Sequence, residues 1–541
     1  MILNKNIHIN TEDQNKGLWR IVSAKIKDEK GLMKIKRKVA NDLGLPIFSN
    51  SELLKAYREL IVSGKIKQSD RMERLLRKRA IRTMSGIAPV AILTKPYACP
   101  GKCAFCPTEK NVPQSYLSNE PAVMRAIRCK YNPYVQVQDR LRALEANGHE
   151  PTKIELIVIG GTWSVLPKKY KYWYLLNAFK AANEFGKNKK PESLNQKIME
   201  LKNLLRQEQK KNEKNKYKII GLTLETRPDY ITPEELWEMR ELGCTRVELG
   251  VQAIDDDILK KNFRGHGVKE IVEATRLLRG YGFKITYHLM PGLPGATPKK
   301  DLEMFQTLFS DERFQPDQIK FYPTVVTRGS LLYKWWQQGK YQPYSDQELE
   351  WLIIESKKNI PEYVRIIRLI RDIPGESIEA GNRITNLRQV MKDRGVVCRC
   401  IRCRENREKK ISNYELRVMD YPVSGGREYF LQIASKVASG QDLLFGFCRL
   451  FLPDTNCTHL EILNNTSIVR ELHVYGELVS VGGKRKTQHA GLGKKLLDEA
   501  EKISKKQHRK KIAIISGVGV RGYYRKNGFK LKETYMFKGL S

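Results

Sequence analysis

The sequence predicts an α/β protein in which a partial (β/α) barrel is joined to a smaller α/β domain and preceded by a basic helical region. Three observations predict this fold class. Between about residues 86 and 390, short apolar runs alternate with stretches of helical periodicity, which is the pattern of parallel βαβ units. From about residue 413, strands and helices alternate again in the rhythm of a small α/β domain. The first 85 residues contain two basic stretches with helical spacing and no chemical motif.

The length and composition agree with several folded domains. A chain of 541 residues is too long for one core, and the size prior is about three or four domains. We expect boundaries at 1–85, 86–390, 391–412 and 413–541, with the third segment a cysteine-containing linker. The hydrophobic content of 41% argues against disorder.

The charge balance indicates a polyanionic partner. Lys and Arg outnumber Asp and Glu by 98 to 60, which gives a net charge of +38 and a pI near 9.7. The alternative explanation of this charge is that all proteins of the source organism are rich in lysine, since the lysines are spread along the whole chain. No run of about 18 apolar residues and no basic-then-apolar leader is present, so we expect a cytoplasmic protein without membrane contact.

The N-terminal region, 1–85, is expected to bind a nucleic acid. Helices are predicted from Lys25 to Leu43 and from Arg71 to Thr83. Basic helical faces of this kind can track a phosphate backbone, although an ordinary solvated face explains any single residue. The candidate RNA contacts are Arg71, Arg74, Arg77, Lys78 and Arg79.

Seven strands are predicted in the central region, and polar or glycine-containing motifs follow most of them. Active sites of (β/α) barrels lie at the carboxyl ends of the strands, so these motifs are candidates for the site. The predicted strands are Ala88–Leu93, Ile154–Ile159, Lys218–Leu224, Arg246–Val251, Phe283–Leu289, Gln318–Tyr322 and Val364–Ile370.

The loop after the first strand carries the strongest motif of the chain. Its sequence, YACPGKCAFCPT, places Cys99, Cys103 and Cys106 in a C-x3-C-x2-C run. Three close thiolates without an obvious fourth indicate a [4Fe-4S] cluster with one open iron. The alternative is a structural zinc loop completed by a distant cysteine or histidine. The spacing closely resembles that of the radical S-adenosylmethionine enzymes, which implies that the open iron binds S-adenosylmethionine.

Motifs at the following strand ends resemble cofactor contacts of the same enzymes. Each is weak alone, because glycine pairs are common turns and each polar residue can equally well serve the core. The stretch HLMPGLPG after the fifth strand resembles the segment that lies along the adenine. The candidate S-adenosylmethionine contacts are Gly160, Gly161, Thr162, Glu225 and Gln252.

Two further segments interrupt or follow the barrel pattern. The lysine-rich insertion at 186–216 is expected to be a mobile helix or loop that either contacts RNA or is simply solvated. The run VVCRCIRCRE contains Cys398, Cys400 and Cys403, which indicate a structural zinc. The flanking Arg399 and Arg402 give this knuckle a surface suited to phosphates. The fourth zinc ligand stays open among Cys129, Cys244, Cys448, Cys457 and the histidines.

The C-terminal region carries a second cofactor motif. A strand predicted from Arg470 to Val481 is followed by a glycine loop and a helix from Lys494 to Lys505. This loop has the Q-x-x-G-x-G pattern of the GNAT acetyltransferases, in which backbone N–H groups at a helix N-terminus receive the pyrophosphate of coenzyme A. The candidate acetyl-coenzyme A contacts are Gln488, His489, Gly491, Leu492 and Gly493.

Four residues are candidates for catalysis near the thioester. A strand at Ile512–Ile515 precedes SGVGVRGYYRKNGF, which resembles the second coenzyme A segment of the GNAT family. Its Tyr523 and Tyr524 can pack on the thioester or donate to it, or belong to the core. Glu471 and His473 share one strand face and can position a water; plain surface roles are the alternative.

The order of these motifs resembles one family. A three-cysteine radical loop, a cysteine knuckle and a C-terminal GNAT domain occur together in the catalytic subunit of Elongator. The segments VMRAIRCKYNPY, LTLETRPDY, CTRVELGVQ and RELHVYG resemble that family closely, and on them the chain is identified as a member.

Membership implies a tRNA uridine carboxymethyltransferase of the acyltransferase class. Acetyl-coenzyme A and a 5′-deoxyadenosyl radical would form 5-carboxymethyluridine at the wobble uridine, uridine-34, of tRNA. The implied partners are the tRNA anticodon stem-loop, an electron donor and, in some forms, other Elongator-type subunits. The competing interpretations are a histone-type protein lysine acetyltransferase and a tRNA-binding scaffold. The first fits poorly, because a protein of charge +38 repels basic tails.

Overall fold

The computed structural model describes residues 11–77, 86–187, 189–384, 387–406, 414–435, 442–454, 460–476 and 491–540. Several predicted positions lie outside these ranges: Lys78, Arg79, Cys457, Gln488 and His489, with the predicted strand end at Val481. No helix in the described ranges combines the length and the apolar character needed to span a bilayer.

Seven parallel strands form the first sheet in the order in which they occur in the chain. Each predicted strand is present, with ends that differ by at most a few residues. Strands β1 and β7 are the two edges, so the barrel is partial, as predicted. The strands are β1 (Ala88–Leu93), β2 (Lys153–Ile159), β3 (Lys218–Thr226), β4 (Arg246–Gln252), β5 (Lys284–Leu289), β6 (Gln318–Phe321) and β7 (Arg365–Arg368).

Helices cover the outer face of this sheet. Alternate residues of β1 and β2 are fully buried against them, and the residues between are only half-buried because they face the barrel interior. The helices that accompany the barrel are α5 (Pro121–Arg128), α6 (Pro133–Ala146), α7 (Lys168–Asn183), α8 (Ile198–Asn212), α9 (Pro233–Glu241), α10 (Asp256–Lys261), α11 (Val268–Gly280), α12 (Pro298–Ser310), α13 (Leu331–Gln337), α14 (Asp346–Lys358) and α15 (Leu387–Asp393).

The insertion at 186–216, for which a mobile helix or loop was predicted, contains a helix that packs against the barrel. Its second half forms α8, which packs on α7 with Leu201 and Leu205 buried. Asn183 donates to the backbone of Glu208 at 2.9 Å and thereby ties the two helices together. The lysines that dominated the sequence pattern lie on the outer side, so the apolar stripe beneath them was easy to overlook.

Four helices form the N-terminal region, around a core of their own that includes Leu53, Leu54 and Tyr57. They are α1 (Thr11–Val22), α2 (Glu29–Leu43), α3 (Asn50–Val62) and α4 (Asp70–Leu76). The helix predicted from Arg71 to Thr83 is shorter than expected. It ends at Leu76, because Arg77 has an extended backbone with φ −66° and ψ 118°. The helix predicted from Lys25 begins later, after the N-cap Asp28.

The second sheet is mixed and packs its outer face on one long helix. After α16 (Ile401–Arg404), the strand order is β13-β14-β12-β11-β10-β9-β8, and α17 (Leu492–Lys506) covers one face. The short α18 (Arg521–Lys526) follows β12. The strands are β8 (Glu415–Val423), β9 (Gly426–Ser435), β10 (Leu443–Pro453), β11 (Thr466–Val474), β12 (Lys511–Ile514), β13 (Lys530–Lys532) and β14 (Tyr535–Gly539).

Strand β12 pairs with only the first part of β11. They run parallel from Thr466 to Val469 and from Lys511 to Ile514, after which β11 continues alone on that side to Val474. The two strands therefore open a wedge toward the N-terminus of α17.

A buried ionic network joins the two sheets. Asp317, at the start of β6, accepts from Arg470 of β11 at 3.1 Å and lies 3.4 Å from Arg449 of β10. Arg470 also contacts Glu428 of β9 at 2.9 Å. All four side chains are at most 1% exposed. Although burial opposes ionisation, Arg470 and Arg449 hold the pKa of Asp317 at about 2, so the carboxylate is charged and fixes the two sheets together.

Candidate active site

One cavity of about 1020 Å³ runs through the interior of the barrel. At the carboxyl ends of the strands it is lined by Cys99, Cys103 and Cys106. At the amino ends it is lined by Glu471 and His473 of the second sheet. The two halves of the chain therefore share a single internal space.

The cysteine loop at one end is held by backbone hydrogen bonds to two neighbouring loops. Ala104 donates to Asn262 at 3.1 Å and accepts from Leu332 at 2.8 Å, and Thr108 donates to Gly329 at 3.1 Å. These bonds fix the direction in which the three thiols point.

The thiols of the cysteine loop are arranged differently from those of the knuckle. A tetrahedral zinc holds sulfur atoms about 3.8 Å apart, since each Zn–S bond is about 2.3 Å. Among the described residues, only the knuckle cysteines Cys398, Cys400 and Cys403 bring three ligand atoms within 4.8 Å of one another. The three sulfur atoms of the cysteine loop do not form so compact a group, although the thiols of Cys103 and Cys106 are hydrogen-bonded to each other.

Two buried arginines lie against the cysteine loop, and the sequence reasoning missed Arg264. Its Nη1 donates to Cys103 Sγ at 3.0 Å. Arg227 is held by Asp229 at 2.9 Å, and its own Nη1 is buried without a partner among the described residues. The thiol of Cys106 and then Arg264 lower the pKa of Cys103 to about 5. The hydrogen bond to Cys103 and burial raise the pKa of Cys106 well above its usual value, so the pair favours a single thiolate on Cys103.

Gly101 allows this close approach. A Cβ at this position would lie 2.2 Å from Arg227 Nη1, so glycine is the residue that fits beside this unpartnered nitrogen. An unsatisfied buried donor together with a glycine cradle is what an incoming anionic group requires.

The predicted cofactor residues gather around the cysteine loop. Gly161, Thr162, Glu225 and Gln252 line the cavity there. Gly160 has φ +131° and would collide with Thr94 if it carried a Cβ. Gln252 has φ +70°, and its Oε1 is buried without a partner among the described residues. Strain and an unsatisfied acceptor at the same residue indicate a ligand site.

The barrel interior carries charges where such barrels usually carry branched apolar residues. Glu248 accepts from His288 at 2.9 Å and contacts Lys320. Arg246 lies 2.8 Å from Glu155. The sequence signal for this network was present, because charges occupy alternate positions of RVELGVQ and QIKFY, but the strands were interpreted only by their apolar residues.

At the other end of the cavity, Glu471 and His473 share one face of β11, as predicted. Arg449 Nε donates to Glu471 at 3.1 Å, and Lys284 Nζ lies 3.7 Å from it. The His473 ring lies nearly parallel to Phe447 at 5.9 Å. Burial lowers the pKa of His473 to about 4, so the ring is neutral at pH 7. Its Nε2 has no partner among the described residues.

The described end of the predicted coenzyme A loop, Gly491 to Gly493, lies on the opposite face of β11. Gly491, with φ +90°, is the N-cap of α17. A Cβ on Gly493 would lie 2.8 Å from the Tyr523 hydroxyl and 3.6 Å from Val474. Tyr523 therefore covers the helix N-terminus beside the wedge, while Tyr524 belongs to the core under α17. Leu492 is 4% exposed and belongs to the same core.

The knuckle cysteines form a compact group at the start of α16, which packs against β7 and β10. Cys398 and Cys400 are buried, and Cys403 N donates to Cys400 O at 3.0 Å at the start of α16. No fourth ligand joins them among the described residues. Cys129 contacts Asp139 instead, and Cys244 contacts the Arg246 carbonyl. Cys448 is buried in the core under α17.

The predicted RNA-binding arginines have different surroundings. Arg77 Nε donates to Gly148 O at 3.0 Å and fastens the N-terminal helices to the barrel. Arg71 contacts the Lys27 carbonyl, and Arg74 is exposed. In the knuckle, Arg399 is exposed, and Arg402 lies 3.9 Å from Glu405 and lines the cavity.

Comparison with known proteins agrees with this geometry. Residues 93–308 match the Radical SAM superfamily, and residues 316–394 match the Radical_SAM C-terminal domain. A tRNA uridine(34) acetyltransferase of Dehalococcoides mccartyi is 43% identical, over 86% of this chain and 100% of that protein. Elongator complex protein 3 of Homo sapiens is 38% identical, over 86% of each chain.

A solved structure has the same overall arrangement. The archaeal Methanocaldococcus infernus Elp3 with an N-terminal deletion is 36% identical, with a TM-score of 0.71 over 84% of this chain and 99% of that chain. The chain therefore belongs to the family that contains the tRNA uridine(34) acetyltransferases and Elongator complex protein 3.

Proposed function

We propose that this enzyme carboxymethylates C5 of uridine-34 of tRNA, with acetyl-coenzyme A as the carbon source. The observation that carries the proposal is the single cavity between the cysteine loop and the inner face of β11. A reaction that joins radical chemistry to an acetyl thioester needs both centres to open on one space.

Cys99, Cys103 and Cys106 would hold a [4Fe-4S] cluster, which the match to the Radical SAM superfamily implies together with S-adenosylmethionine. When bound, this pair supplies a 5′-deoxyadenosyl radical able to take a hydrogen atom from the acetyl methyl group. Arg264 and Arg227 would balance the negative charge. Gly160, Gly161, Thr162, Glu225 and Gln252 would receive the polar groups of S-adenosylmethionine.

Acetyl-coenzyme A would bind at the N-terminus of α17. The backbone N–H groups after Gly491 are suited to a pyrophosphate, and Gln488 and His489 would complete the loop. The wedge between β11 and β12 gives the pantetheine arm a path toward the inner face of β11. Tyr523 would pack on this arm, whereas the burial of Tyr524 supports a structural role.

His473 is our candidate for the base that hydrolyses the thioester. Its Nε2 would accept a proton from water while the water oxygen attacks the carbonyl carbon and the C–S bond breaks. A neutral ring without a partner is ready for this step. Glu471 is held by Arg449 and Lys284, so it would orient the water rather than take its proton.

The tRNA would present an unstacked anticodon base to the cavity, since loop bases can be splayed out without breaking a duplex. Arg74 and Arg399 are exposed and suited to phosphates. The knuckle cysteines would bind a structural zinc. A histone-type lysine acetyltransferase gains no support from the relatives, which are named tRNA uridine(34) acetyltransferase and Elongator complex protein 3.

The test is acetyl-coenzyme A hydrolysis by the anaerobically reconstituted protein, with and without tRNA, together with mass spectrometry of the tRNA nucleosides. We expect hydrolysis to depend on tRNA and carboxymethyluridine to require S-adenosylmethionine and reductant. Acetylation of a basic peptide with unchanged tRNA would overturn the proposal. His473→Gln should reduce hydrolysis about 100-fold without loss of deoxyadenosine formation.

A further inference from the structure

We propose that a partly exposed apolar patch on the outer side of the cysteine loop is the docking surface for an acidic, low-potential electron-transfer protein. The patch consists of Phe263, at the end of α10, and of Leu331, Tyr333, Trp335 and Trp336 on α13. The inference rests on the proposed function, since it assumes a cluster that must be reduced. One electron would leave the donor protein and enter the cluster.

Large apolar side chains are concentrated in this patch. Phe263 is 50% exposed and Leu331 is 37% exposed. The rings of Phe263 and Trp335 are 6.1 Å apart, and those of Tyr333 and Trp336 are 5.9 Å apart. Tyr333, Trp335 and Trp336 are half-buried, and partly exposed apolar residues clustered in this way mark protein interaction sites.

Phe263 occupies a backbone position that disfavours its side chain. It follows the C-cap of α10 with φ +54°. Its N–H donates to Lys260 O, and Arg264 N–H donates to Leu259 O, each at 3.0 Å. This is the Schellman arrangement, in which the residue at Phe263 is usually glycine. An exposed phenylalanine there costs free energy and adds no core contact, so its ring serves a purpose outside the fold.

The patch is connected directly to the cysteine loop. Phe263 lies between Asn262, which accepts from Ala104 N at 3.1 Å, and Arg264, which donates to Cys103 Sγ at 3.0 Å. The other half of the patch begins at Leu332, whose N–H donates to Ala104 O at 2.8 Å. A donor protein on the patch would be separated from the cluster by the loop alone.

The charge around the patch fits an acidic partner. Five exposed lysines lie on the segments that form or adjoin it: Lys102, Lys260, Lys261, Lys334 and Lys340. None of them has an ion-pair partner in the part of the chain that the structure describes. The acidic residues of α10, Asp256 and Asp257, are in its first turn, away from Phe263. Such a rim steers an acidic protein toward the aromatic centre.

The position of the patch favours a protein donor over RNA. Basic surfaces with aromatic rings also bind single-stranded RNA, but the modified base must enter the cavity, and no residue of the patch lines it. The patch lies on the outer side of the cysteine loop. An electron, unlike a base, can reach the cluster from that side.

Two variants test the proposal. Phe263→Gly removes the ring and relieves the strained backbone, so the variant should fold at least as well as the wild type. The second variant combines Lys260→Glu, Lys261→Glu and Lys334→Glu. Its matched control combines Lys505→Glu, Lys506→Glu and Lys510→Glu, which change the net charge equally on exposed residues of the second sheet region.

The measurement is the initial rate of 5′-deoxyadenosine formation with two reductants. One is an acidic flavodoxin kept reduced by its NADPH-dependent reductase, and the other is dithionite, a small molecule that needs no docking surface. Both patch variants should lose at least tenfold with flavodoxin and keep the wild-type rate with dithionite. Rising salt should slow the flavodoxin reaction of the wild type and of the control.

A flavodoxin rate that falls no further than in the control would overturn the proposal. Weaker tRNA binding by the patch variants, with equal losses for both reductants, would overturn it in favour of an RNA surface. Deoxyadenosine is measured separately from the tRNA product. A wild type that cleaves S-adenosylmethionine without modifying tRNA would therefore contradict the proposed function and leave the docking comparison intact.

Discussion

The cysteine loop and the knuckle use the same ligand atom in opposite arrangements. The loop places its three cysteines on the wall of the large cavity, with Arg264 3.0 Å from the Cys103 sulfur. The knuckle holds its three thiols within 4.8 Å of one another, behind the barrel. Its sulfur atoms do not line the cavity. Spacing and access to the cavity, rather than the number of cysteines, distinguish a reactive centre from a structural one.

The largest loss of activity is expected for a substitution in the cysteine loop. Cys103→Ser should lower deoxyadenosine formation by at least about 100-fold, because loss of a ligand exceeds the 10- to 100-fold cost of losing an outer contact. Its tRNA affinity and unfolding temperature should stay near the wild-type values. A variant that still cleaved S-adenosylmethionine at the wild-type rate would show that the cysteine loop is not the reactive centre.

The knuckle should respond in the opposite way. Cys400→Ser should abolish zinc binding and lower the free energy of unfolding by several kcal/mol, roughly, because metal binding contributes directly to folding. Zinc content by mass spectrometry and chemical denaturation measure the two effects. Deoxyadenosine formation per folded molecule should change little. A stable, zinc-free variant would show that the knuckle cysteines are packing residues.

A smaller effect is expected when the positive charge beside the loop is removed and the three cysteines are kept. Arg264→Gln removes a cation beside Cys103, so the cluster should become harder to reduce, by roughly tens of millivolts. Arg264→Lys keeps the charge and should restore most of the potential. Redox titration followed by electron paramagnetic resonance measures both variants, with Arg276→Gln on the exposed face of α11 as the control. Equal potentials throughout would assign Arg264 to packing.

The smallest effect should come from the glycine cradle. Gly101→Ala places a methyl group 2.2 Å from Arg227 Nη1, and that guanidinium is held by Asp229, so the loop must shift. Deoxyadenosine formation should fall by up to about tenfold, since small misplacements of a site are costly. The control is Gly375→Ala, where a Cβ meets nothing within 4 Å. If the two variants had the same activity, the close approach of Gly101 to Arg227 would not be part of the active site.

Local patterns predicted much of this molecule. Each of the seven barrel strands was visible as a short apolar run, and the period of two placed Glu471 and His473 on one face of β11. The order of the motifs identified the family, which the comparisons confirmed.

Contacts between distant segments were beyond local patterns. Arg264 is 161 residues from Cys103, and nothing in its neighbourhood in the sequence marks it as a contact of the loop. The position of the second sheet at the amino ends of the barrel strands depends on the pairing of Asp317 with Arg470, which are 153 residues apart. The helix predicted through Arg77 ended early because Arg77 bonds to the barrel at Gly148, a tertiary contact that outweighs helical propensity.

The ionic network at Asp317 has a consequence for genetics. Asp317→Asn would leave Arg449 and Arg470 in a buried interface with one negative charge fewer to balance them. Such an allele would lose wobble modification on warming although the substituted residue touches neither cofactor nor RNA. A screen for strains without the modified nucleoside would recover it beside the cysteine mutants, and growth at low temperature would tell the two classes apart.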